Sequence, residues 1–308
     1  MDPLIVLDRL GPGRHLVRVV ASPRGWLAAR EDLADSLLAA GMGPDGEPRL
    51  ERIDLIGKRP LEGMAIEGEE LVVRRYHHGG LLRWLTREVF RSPRRPFVEL
   101  CLQHELERHG IHSPEVVAAR AVRAWPLGWR LAVATRRVPD ALDLGQALGL
   151  KRRGELAVPQ WRRLVQAAGA LVASLHQAGF LHADLTPRNL LVERASLAGE
   201  APKLWVLDLD RSRWLTSLSW PQRVMNVQRL ARHMVRMERE HGLAVSRPDA
   251  MRFLRAWEGD RSLRHAAWRA IASRTLWTGP VHALGWRLEL WLGRGRFGAE
   301  RHLGSPPS

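Results

Sequence analysis

An eight-residue polar segment in the second half of the chain has the residue types of a phosphoryl-transfer loop. Residues 182–189 read HADLTPRN, which is the spacing H-x-D-x-x-x-x-N, and an apolar run follows them. Phosphoryl transfer needs a carboxylate that orients the acceptor hydroxyl and takes its proton, and an amide oxygen for a metal ion. Asp184 and Asn189 supply these groups, so we expect a catalytic base and a metal ligand here. The alternative is a capped turn in which both side chains make only local hydrogen bonds.

A second acidic segment, LDLDR over residues 207–211, places Asp208 24 positions after Asp184. Asp208 ends a predicted apolar strand, where a carboxylate needs a partner, and a metal ion that bridges ATP phosphates is a suitable one. It stands where the D-F-G element of kinases has its metal-binding Asp, but Asp210 replaces the glycine. Asp210 could assist the metal or pair with Arg211. The alternative for Asp208 is a strand-end turn with a solvated carboxylate.

A basic residue on a strand, followed by a carboxylate on a helix, forms the third pattern. Arg74 lies in a short β-branched run over 69–76, and Glu99 lies 25 residues further on in a predicted helix. Arg74 would take the place of a phosphate-binding lysine with Glu99 as its partner, although a guanidinium binds phosphate with a different geometry. Arg75 is the alternative if the register shifts by one, since alternation points it to the opposite face. Glu99 could also be an ordinary solvated helix residue.

A glycine-containing segment before the Arg74 strand is a weaker signal. Residues 57–63 read GKRPLEG and lack the full G-x-G-x-x-G pattern. The segment could cover phosphates, and Gly57 and Gly63 are therefore candidate cofactor-binding residues.

The order of predicted elements favours an α+β fold with two lobes. Strands are predicted over 4–7, 15–20, 69–76, 116–119 and 129–136, with helices over 30–40 and 97–109. A connector over 138–140 leads to a helix over 161–178, strands over 190–192 and 204–207, and a mainly helical region from residue 221. We therefore expect a strand-rich N-terminal lobe, 1–137, and a mainly helical C-terminal lobe, 138–308.

Charge and cysteine content restrict the class of protein. Lys and Arg number 48 against 33 Asp and Glu, a net charge of +15, and only three of the basic residues are lysines. Such a chain should attract polyanions, although the arginine bias can also reflect a GC-rich genome. The single cysteine, Cys101, excludes a disulfide framework and suits a reducing cytoplasm. The N-terminus has no signal-peptide pattern, and the longest apolar stretch, 164–175, is too short to span a bilayer.

Together these segments resemble the lipopolysaccharide kinase family, and within it the 3-deoxy-D-manno-octulosonic acid (Kdo) kinases. The likeness rests on residues 72–80 (VVRRYHHGG), 95–100 (RPFVEL), 182–191 and 207–211, with an echo in the basic helix over 226–232. These segments occur in the family's order over roughly residues 55–240. Residues 1–50 are an extension that the motifs do not explain. The resemblance implies a protein kinase-like fold.

The resemblance also implies a reaction and its cofactors. ATP and Mg²⁺ would serve to transfer the γ-phosphate to a hydroxyl of Kdo in the inner core of a lipid A precursor. Asp184 then matches the catalytic base, Asn189 and Asp208 match the metal ligands, and Arg74 with Glu99 matches the phosphate-orienting pair. The Ala at position 183 and the lack of an A-P-E segment after Asp208 argue against a phosphorylation-controlled protein kinase.

The expected place of action is the cytoplasmic face of the inner membrane, with peripheral attachment to the anionic surface. Arg87, Arg91, Arg94 and Arg95 would meet the phosphate-rich acceptor. Near the C-terminus, Trp277, Trp286 and Trp291 alternate with arginines, which suggests an interfacial anchor, or alternatively tryptophans in the core of ordinary helices.

Two other functions stay open. One is a phosphotransferase of the aminoglycoside or RIO type. No ribonucleoprotein signature is visible, however, and we expect no nucleic acid partner. The other is a pseudokinase that only binds a glycolipid or a protein, which the unusual Arg74 and the weak glycine segment would allow. The joint presence of Asp184, Asn189 and Asp208 favours an active enzyme.

Overall fold

The structure is a computed structural model, and it describes residues 3–53, 61–77, 88–124, 128–243 and 245–277. Two compact units make up the fold. The first comprises Met1–Val138 together with Leu209–Arg211, and the second comprises Pro139–Asp208 and Ser212–Ser308. The predicted α+β class is confirmed, since one unit is built on a large antiparallel sheet and the other mainly on helices.

The first unit is organised around an antiparallel sheet. Its strands are β1 (Val17–Ser22), β2 (Gly25–Arg30), β3 (Glu51–Ile53), β4 (Leu61–Ile66), β5 (Glu69–Arg75), β6 (Val116–Arg123) and β7 (Trp129–Arg136). Within the described residues, these seven strands pair in the order β1-β2-β6-β7-β5-β4-β3. Its helices are α1 (Ala34–Ala39) and α2 (Arg95–Arg108).

The alternation of side chains along β5 determines which residues face α2. Leu71 and Val73 are buried in one apolar cluster with Leu37 of α1. Arg74 points to the other face, as alternation requires, and there its side chain reaches Glu99 of α2. The sheet therefore separates an apolar cluster on one side from the Arg74–Glu99 contact on the other.

The first 50 residues contribute β1 and β2 to this sheet and a segment that packs against α2. The predicted strand over 4–7 is wrong, because this stretch lies within the 3₁₀ segment Pro3–Leu16. Its residues Leu7 and Leu10 are buried in a cluster with Phe97 of α2, and the thiol of Cys101 donates to the carbonyl oxygen of Val6. An apolar run in this place is satisfied by packing on a helix rather than by strand pairing.

The second unit is mainly helical, with two small antiparallel sheets. Its helices are α3 (Leu144–Arg152), α4 (Val158–Gln177), α5 (Trp220–His241), α6 (Arg247–Trp257) and α7 (Arg261–Trp277). Its strands are β8 (Ala141–Asp143), β9 (Phe180–Leu181), β10 (Leu190–Glu193), β11 (Leu204–Val206) and β12 (Arg213–Trp214). β10 lies between β11 and β8, and β9 pairs with β12. None of the helices described is both long and apolar enough to cross a bilayer.

Helix α4 is the central packing element of this unit. Its apolar face buries Leu164, Ala168 and Val172, which follow helical spacing. Gly169 lets α6 approach closely, since a Cβ at this position would lie 2.4 Å from the carbonyl oxygen of Phe253. Helix α5 is terminated by Gly242, whose φ of 63° lies in the left-handed region that commonly caps helices.

Candidate active site

The segment that carries Asp184 and Asn189 is a loop between β9 and β10 in the second unit. It ends in a short 3₁₀ turn, Pro187–Asn189, that leads directly into β10. The side chain of Asp184 is 45% exposed, so its carboxylate is accessible to a ligand. The loop is therefore held at both ends by strands while its carboxylate remains open to solvent.

His182 connects the two acidic segments of the second unit through its two ring nitrogens. Nε2 lies 2.9 Å from the carbonyl oxygen of Leu207, so it must donate, and Nδ1 accepts from the backbone N–H of Asp184 at 3.1 Å. Burial lowers the pKa of His182, which favours the neutral ring, and the two hydrogen bonds select the tautomer with the proton on Nε2. One imidazole therefore fixes the backbone of both Asp184 and Leu207, the residue before Asp208.

A chain of buried hydrogen bonds supports this loop from behind. Trp257 donates to Nδ1 of His176 at 2.9 Å, and Nε2 of His176 donates to Oδ1 of Asn226 at 3.1 Å. The amide nitrogen of Asn226 then donates to the carbonyl oxygen of His182 at 2.7 Å. Burial lowers the pKa of His176 to about 4, which matches the neutral ring that this chain requires. Three helices, α4, α5 and α6, therefore determine where His182 lies.

Asn189 is oriented by the same loop. Its side-chain nitrogen donates to the carbonyl oxygen of Asp184 at 2.8 Å, which leaves the amide oxygen as the free end of the side chain. The backbone N–H of Leu207 donates to the carbonyl oxygen of Asn189 at 2.9 Å. The loop and the end of β11 are therefore adjacent, and Asn189 is brought next to the residue that precedes Asp208.

Asp208 has an unusual backbone conformation. Its φ is 57°, in the left-handed region that non-glycine residues seldom adopt, although Asp and Asn tolerate it better than most. Such conformations cost free energy and cluster at functional sites. The turn after β11 therefore holds Asp208 in a geometry that local preference alone would not select.

The oxygens of Asn189 and Asp208 suit a hard cation such as Mg²⁺, which binds one or two protein oxygens together with substrate phosphates and water. In the part of the chain that the structure describes, no group of three or more His, Cys, Asp and Glu residues is arranged to hold a metal. A site that completes its coordination with nucleotide phosphates does not need such a group.

Arg229 of α5 contacts the carboxylate of Asp184. Its Nη1 lies 3.0 Å from Oδ1 of Asp184, and the two side chains are 41% and 45% exposed. The sequence pattern singled out this basic helix but assigned no role to Arg229. A cation beside an acidic loop residue could not be identified from sequence, because the two positions are 45 residues apart.

In the first unit, Arg74 and Glu99 are brought together as predicted. Nη2 of Arg74 lies 2.5 Å and 2.6 Å from the two carboxylate oxygens of Glu99, which is buried. The hydroxyl of the buried Tyr76 also donates to Oε2 of Glu99. Tyr76 lies under the guanidinium of Arg74, 4.7 Å from the ring centroid. Arg75 points away and pairs with Glu62, so the register places Arg74 rather than Arg75 toward α2.

Asp210 is held by an arginine that sequence reasoning did not pair with it. Nε of Arg95 lies 2.9 Å from Oδ1 of Asp210, and Nη2 of Arg95 contacts Oδ2. Arg211, which the sequence offers as one alternative for Asp210, is 3.9 Å from the same carboxylate. The guanidinium of Arg95 also lies over the rings of Phe90 and Tyr76, at 4.8 Å and 5.1 Å from their centroids.

Some of the other candidate residues, the glycines, the arginines near α2 and the C-terminal tryptophans, lie in the part of the chain that the structure describes, and some lie outside it. Gly63 lies in strand β4 rather than in a loop, and a Cβ there would come within 2.4 Å of the carbonyl oxygen of Leu71. Close strand packing therefore explains this glycine without a ligand. Gly57, Arg87, Trp286 and Trp291 lie outside the described residues, as does the side chain of Trp277. Arg91, Arg94 and Arg95 are described, in and just before α2.

Several curated relatives that share one enzyme name are similar to more than half of the chain. A 3-deoxy-D-manno-octulosonic acid kinase from Actinobacillus succinogenes is 26% identical over 202 residues, which are 64% of this chain and 79% of that protein. The protein of the same name from Photobacterium damsela subsp. piscicida is 26% identical over 187 residues, or 58% of this chain and 70% of that protein. A third, from Xanthomonas axonopodis pv. citri, is 28% identical over 192 residues.

Comparison of folds and of family patterns agrees with these relatives. The fold is similar to that of WaaP, solved in complex with acyl carrier protein, with a TM-score of 0.52 over 80% of this chain and 92% of that one at 17% identity. The predicted kinase-like fold is thereby confirmed. Residues 57–257, which include Arg74, Glu99, the loop with Asp184 and Asn189, and Asp208, match the lipopolysaccharide kinase (Kdo/WaaP) family. The chain belongs to that family.

Proposed function

We propose that this kinase uses ATP and Mg²⁺ to phosphorylate a hydroxyl of a Kdo sugar in the lipopolysaccharide inner core. The observation that supports it most is the loop in which His182 binds both the backbone of Asp184 and the carbonyl of Leu207. A scaffold protein gains nothing from holding a solvent-accessible carboxylate and a strained Asp208 around one neutral imidazole. A phosphotransferase needs both groups in fixed positions.

Asp184 is the group that would act on the acceptor. Its carboxylate accepts the hydroxyl proton as the acceptor oxygen forms a bond to the γ-phosphorus of ATP. The bond from that phosphorus to the oxygen that joins it to the β-phosphate breaks, and ADP leaves with the electron pair. The exposure of Asp184 admits an acceptor to this carboxylate, while its backbone contact with His182 fixes its position.

Asn189 and Asp208 would hold Mg²⁺. When bound, the ion neutralises charge on the nucleotide phosphates during transfer. Asn189 is suited to this role because its amide nitrogen is used by the carbonyl of Asp184, which directs the amide oxygen away from that contact. Asp208 contributes the carboxylate, held by the left-handed turn after β11.

Arg74 would bind nucleotide phosphate while Glu99 orients its side chain. Nη2 of Arg74 contacts the carboxylate of Glu99, and a guanidinium can bind phosphate oxygens through paired N–H groups. The side chain of Arg74 is 31% exposed, whereas that of Glu99 is 5% exposed, so the pair has a buried and an accessible end. Gly57 stays a predicted neighbour of the nucleotide, and Gly63 stays a candidate although strand packing by itself accounts for that glycine.

The acceptor follows from the relatives rather than from the geometry. Kdo kinase is the name of the curated relatives, and we propose by analogy that the acceptor here is a Kdo-bearing glycolipid. We therefore propose peripheral action at the cytoplasmic face of the inner membrane, where Arg91 and Arg94, next to α2, would meet anionic headgroups. We also propose that the two units correspond to the kinase lobes predicted as 1–137 and 138–308.

Two variants separate binding from chemistry. Asp208→Ala should lose Mg²⁺-dependent binding of ATP, measured by calorimetry with and without the metal. Asp184→Asn should keep that binding and lose phosphate transfer by about 10²–10⁴-fold, as expected for removal of a general base. If Asp208→Ala binds MgATP like the unchanged protein, the metal assignment is wrong. If Asp184→Asn transfers phosphate at the normal rate, the base is another group.

A further inference from the structure

Two arginines project from one face of α5 beside the catalytic loop. Arg229 and Arg232 are three residues apart, a spacing that places side chains next to each other on a helix. Arg229 touches Asp184 through Nη1 alone. A guanidinium has five N–H donors, so this contact leaves most of the Arg229 donors available for another acceptor.

Arg232 is a partly buried cation with another cation, Arg229, as its neighbour. It is half-buried, and among the residues that the structure describes no carboxylate or hydrogen-bond acceptor pairs with it. Burial, and next the positive charge of Arg229, lower the pKa of Arg232 below its ordinary value. Two neighbouring guanidinium groups repel each other, and a partly desolvated one without a partner is costly. An anion between them removes both costs.

We propose that Arg229 and Arg232 form a subsite that binds the carboxylate of the acceptor sugar. The inference rests on the proposed function, whose acceptor is a sugar acid. Two guanidinium groups offer the paired N–H donors that bind a carboxylate most strongly. Arg229 then lies between two anions, the acceptor carboxylate and Asp184, and Arg232 supplies the second positive charge that balances them.

The contact between Arg229 and Asp184 gives the subsite a second function, which is to position the acceptor. The carboxylate and the hydroxyls of a sugar acid belong to one small molecule. Binding the carboxylate at Arg229 therefore places the hydroxyls within reach of Asp184, which is 3.0 Å from the same guanidinium. A phosphate on another sugar of the glycolipid would not bring the reacting hydroxyl with it in this way. Arg229 and Arg232 are thus specificity-determining residues for an acidic acceptor.

The test combines a change in the protein with a change in the acceptor. Arg232→Gln is assayed with ATP and Kdo-capped lipid A precursor, and again with the precursor whose sugar carboxylate has been reduced to an alcohol. We expect Arg232→Gln to raise the acceptor KM by about 10- to 100-fold, the loss of one charge-assisted contact, without a change in the KM for ATP. With the reduced acceptor, the unchanged protein and Arg232→Gln should have the same raised KM.

Control variants separate this effect from a general loss of structure or charge. Arg232→Lys keeps the positive charge and should recover part of the acceptor affinity. Arg239→Gln removes an exposed arginine of the same helix and should leave the acceptor KM unchanged. A third acceptor, with intact carboxylate but without the lipid phosphates, identifies which anion Arg232 recognises.

The outcomes are distinguishable. If Arg232→Gln has a normal acceptor KM, or raises it equally for the carboxylate and the alcohol, the subsite does not exist although the proposed function stands. If removal of the lipid phosphates, rather than of the carboxylate, abolishes the difference between the two proteins, the carboxylate assignment is overturned. If the unchanged protein phosphorylates none of these acceptors, the proposed function and the subsite fail together.

Discussion

Arg95 at the start of α2 and Asp210, 115 residues further along the chain, form a two-point ion pair. The short segment Leu209–Arg211 belongs to the first unit, as Arg95 does, whereas Asp208 belongs to the second. The side chains of Arg95 and Asp210 are 24% and 17% exposed, so water screens the pair only in part. The arginine is further enclosed by Phe90 and Tyr76. Asp210 therefore attaches the segment Leu209–Arg211 to α2 within the first unit.

Asp210→Asn should destabilise the protein. The change leaves the largely buried Arg95 without its counter-charge, and we expect the free energy of unfolding to fall by about 1–3 kcal/mol. Urea denaturation measures this. The matched control is Asp140→Asn, which removes the exposed pair with Arg194 and should cost less than about 1 kcal/mol. Equal losses in both variants would mean that the Arg95–Asp210 pair contributes no more than a surface pair.

Tyr76 offers a spectroscopic test of the Arg74–Glu99 pair, because it is the chain's one tyrosine. Burial, and next the charge of Glu99, raise the pKa of Tyr76 well above its ordinary value. The folded protein therefore keeps the phenol protonated while the unfolded chain ionises near pH 10, so stability should fall as pH rises above about 10. In an alkaline titration, tyrosinate absorbance should appear only as the protein unfolds. Ionisation near pH 10 in the folded state would contradict the buried contact.

Replacing Tyr76 by Phe tests the same hydrogen bond at neutral pH. Loss of a hydrogen bond to the buried carboxylate of Glu99 should lower the free energy of unfolding by about 1.5–3 kcal/mol. The phenyl ring keeps the packing against Phe90, so the change isolates the hydroxyl. An unchanged unfolding midpoint in urea would show that Glu99 does not depend on Tyr76.

Stability should also depend on pH through His176. Burial lowers the pKa of His176 to about 4 from an ordinary value of 6.5. Between these two pH values the histidine is protonated in the unfolded chain and neutral in the folded protein. The contribution of His176 to stability is therefore fully present above about pH 6.5 and is lost as pH falls toward 4, by about 3 kcal/mol in total. Urea denaturation across this range measures the loss. His176→Gln should flatten the profile, whereas His265→Gln, which removes an exposed histidine, should not. A pH profile that is the same in all three proteins would contradict the assignment.

Arg74 and Arg75 form a matched pair for testing nucleotide binding. Arg74→Gln should raise the KM for ATP by about tenfold or more, because it removes a charged contact to phosphate. Arg75→Gln should leave that KM unchanged, since Arg75 faces away from α2 and pairs with Glu62. Steady-state kinetics with varied ATP distinguish the two. A larger effect at Arg75 would mean that the opposite face of β5 binds the nucleotide.

What could be predicted from the sequence was local. The polar loop with Asp184 and Asn189 is recognisable from its internal spacing. The strand over 129–136 is recognisable from its local residue pattern, so neither prediction needs tertiary information. The pairing of Arg74 with Glu99 follows from the kinase pattern of a basic strand residue and a carboxylate on the next helix, and the structure brings the two together. The 3₁₀ segment Pro3–Leu16 was misassigned, since a short apolar run fits either a strand or a packed turn.

The contacts that remained unpredicted join distant parts of the chain. Trp257 and His176 are 81 residues apart, and Arg229 and Asp184 are 45 residues apart. No local spacing encodes such pairs, because they depend on how α4, α5 and α6 pack. The sequence predicts Gly63 in a segment that covers phosphates, whereas the structure has it in β4, where Ile53 and Leu71 leave no room for a Cβ. A glycine in the sequence indicates that something approaches the backbone closely, but the sequence does not show whether that is a ligand or another strand.

Transfer of labelled phosphate from ATP to Kdo-capped lipid A precursor, with Mg²⁺, tests the central claim most directly. The unchanged protein and Asp184→Asn are compared under the same conditions, with MgATP binding confirmed for both. The account predicts label on the Kdo sugar with the unchanged protein and at least about 10²-fold less with Asp184→Asn. Unlabelled glycolipid with the unchanged protein, despite normal MgATP binding, would contradict it.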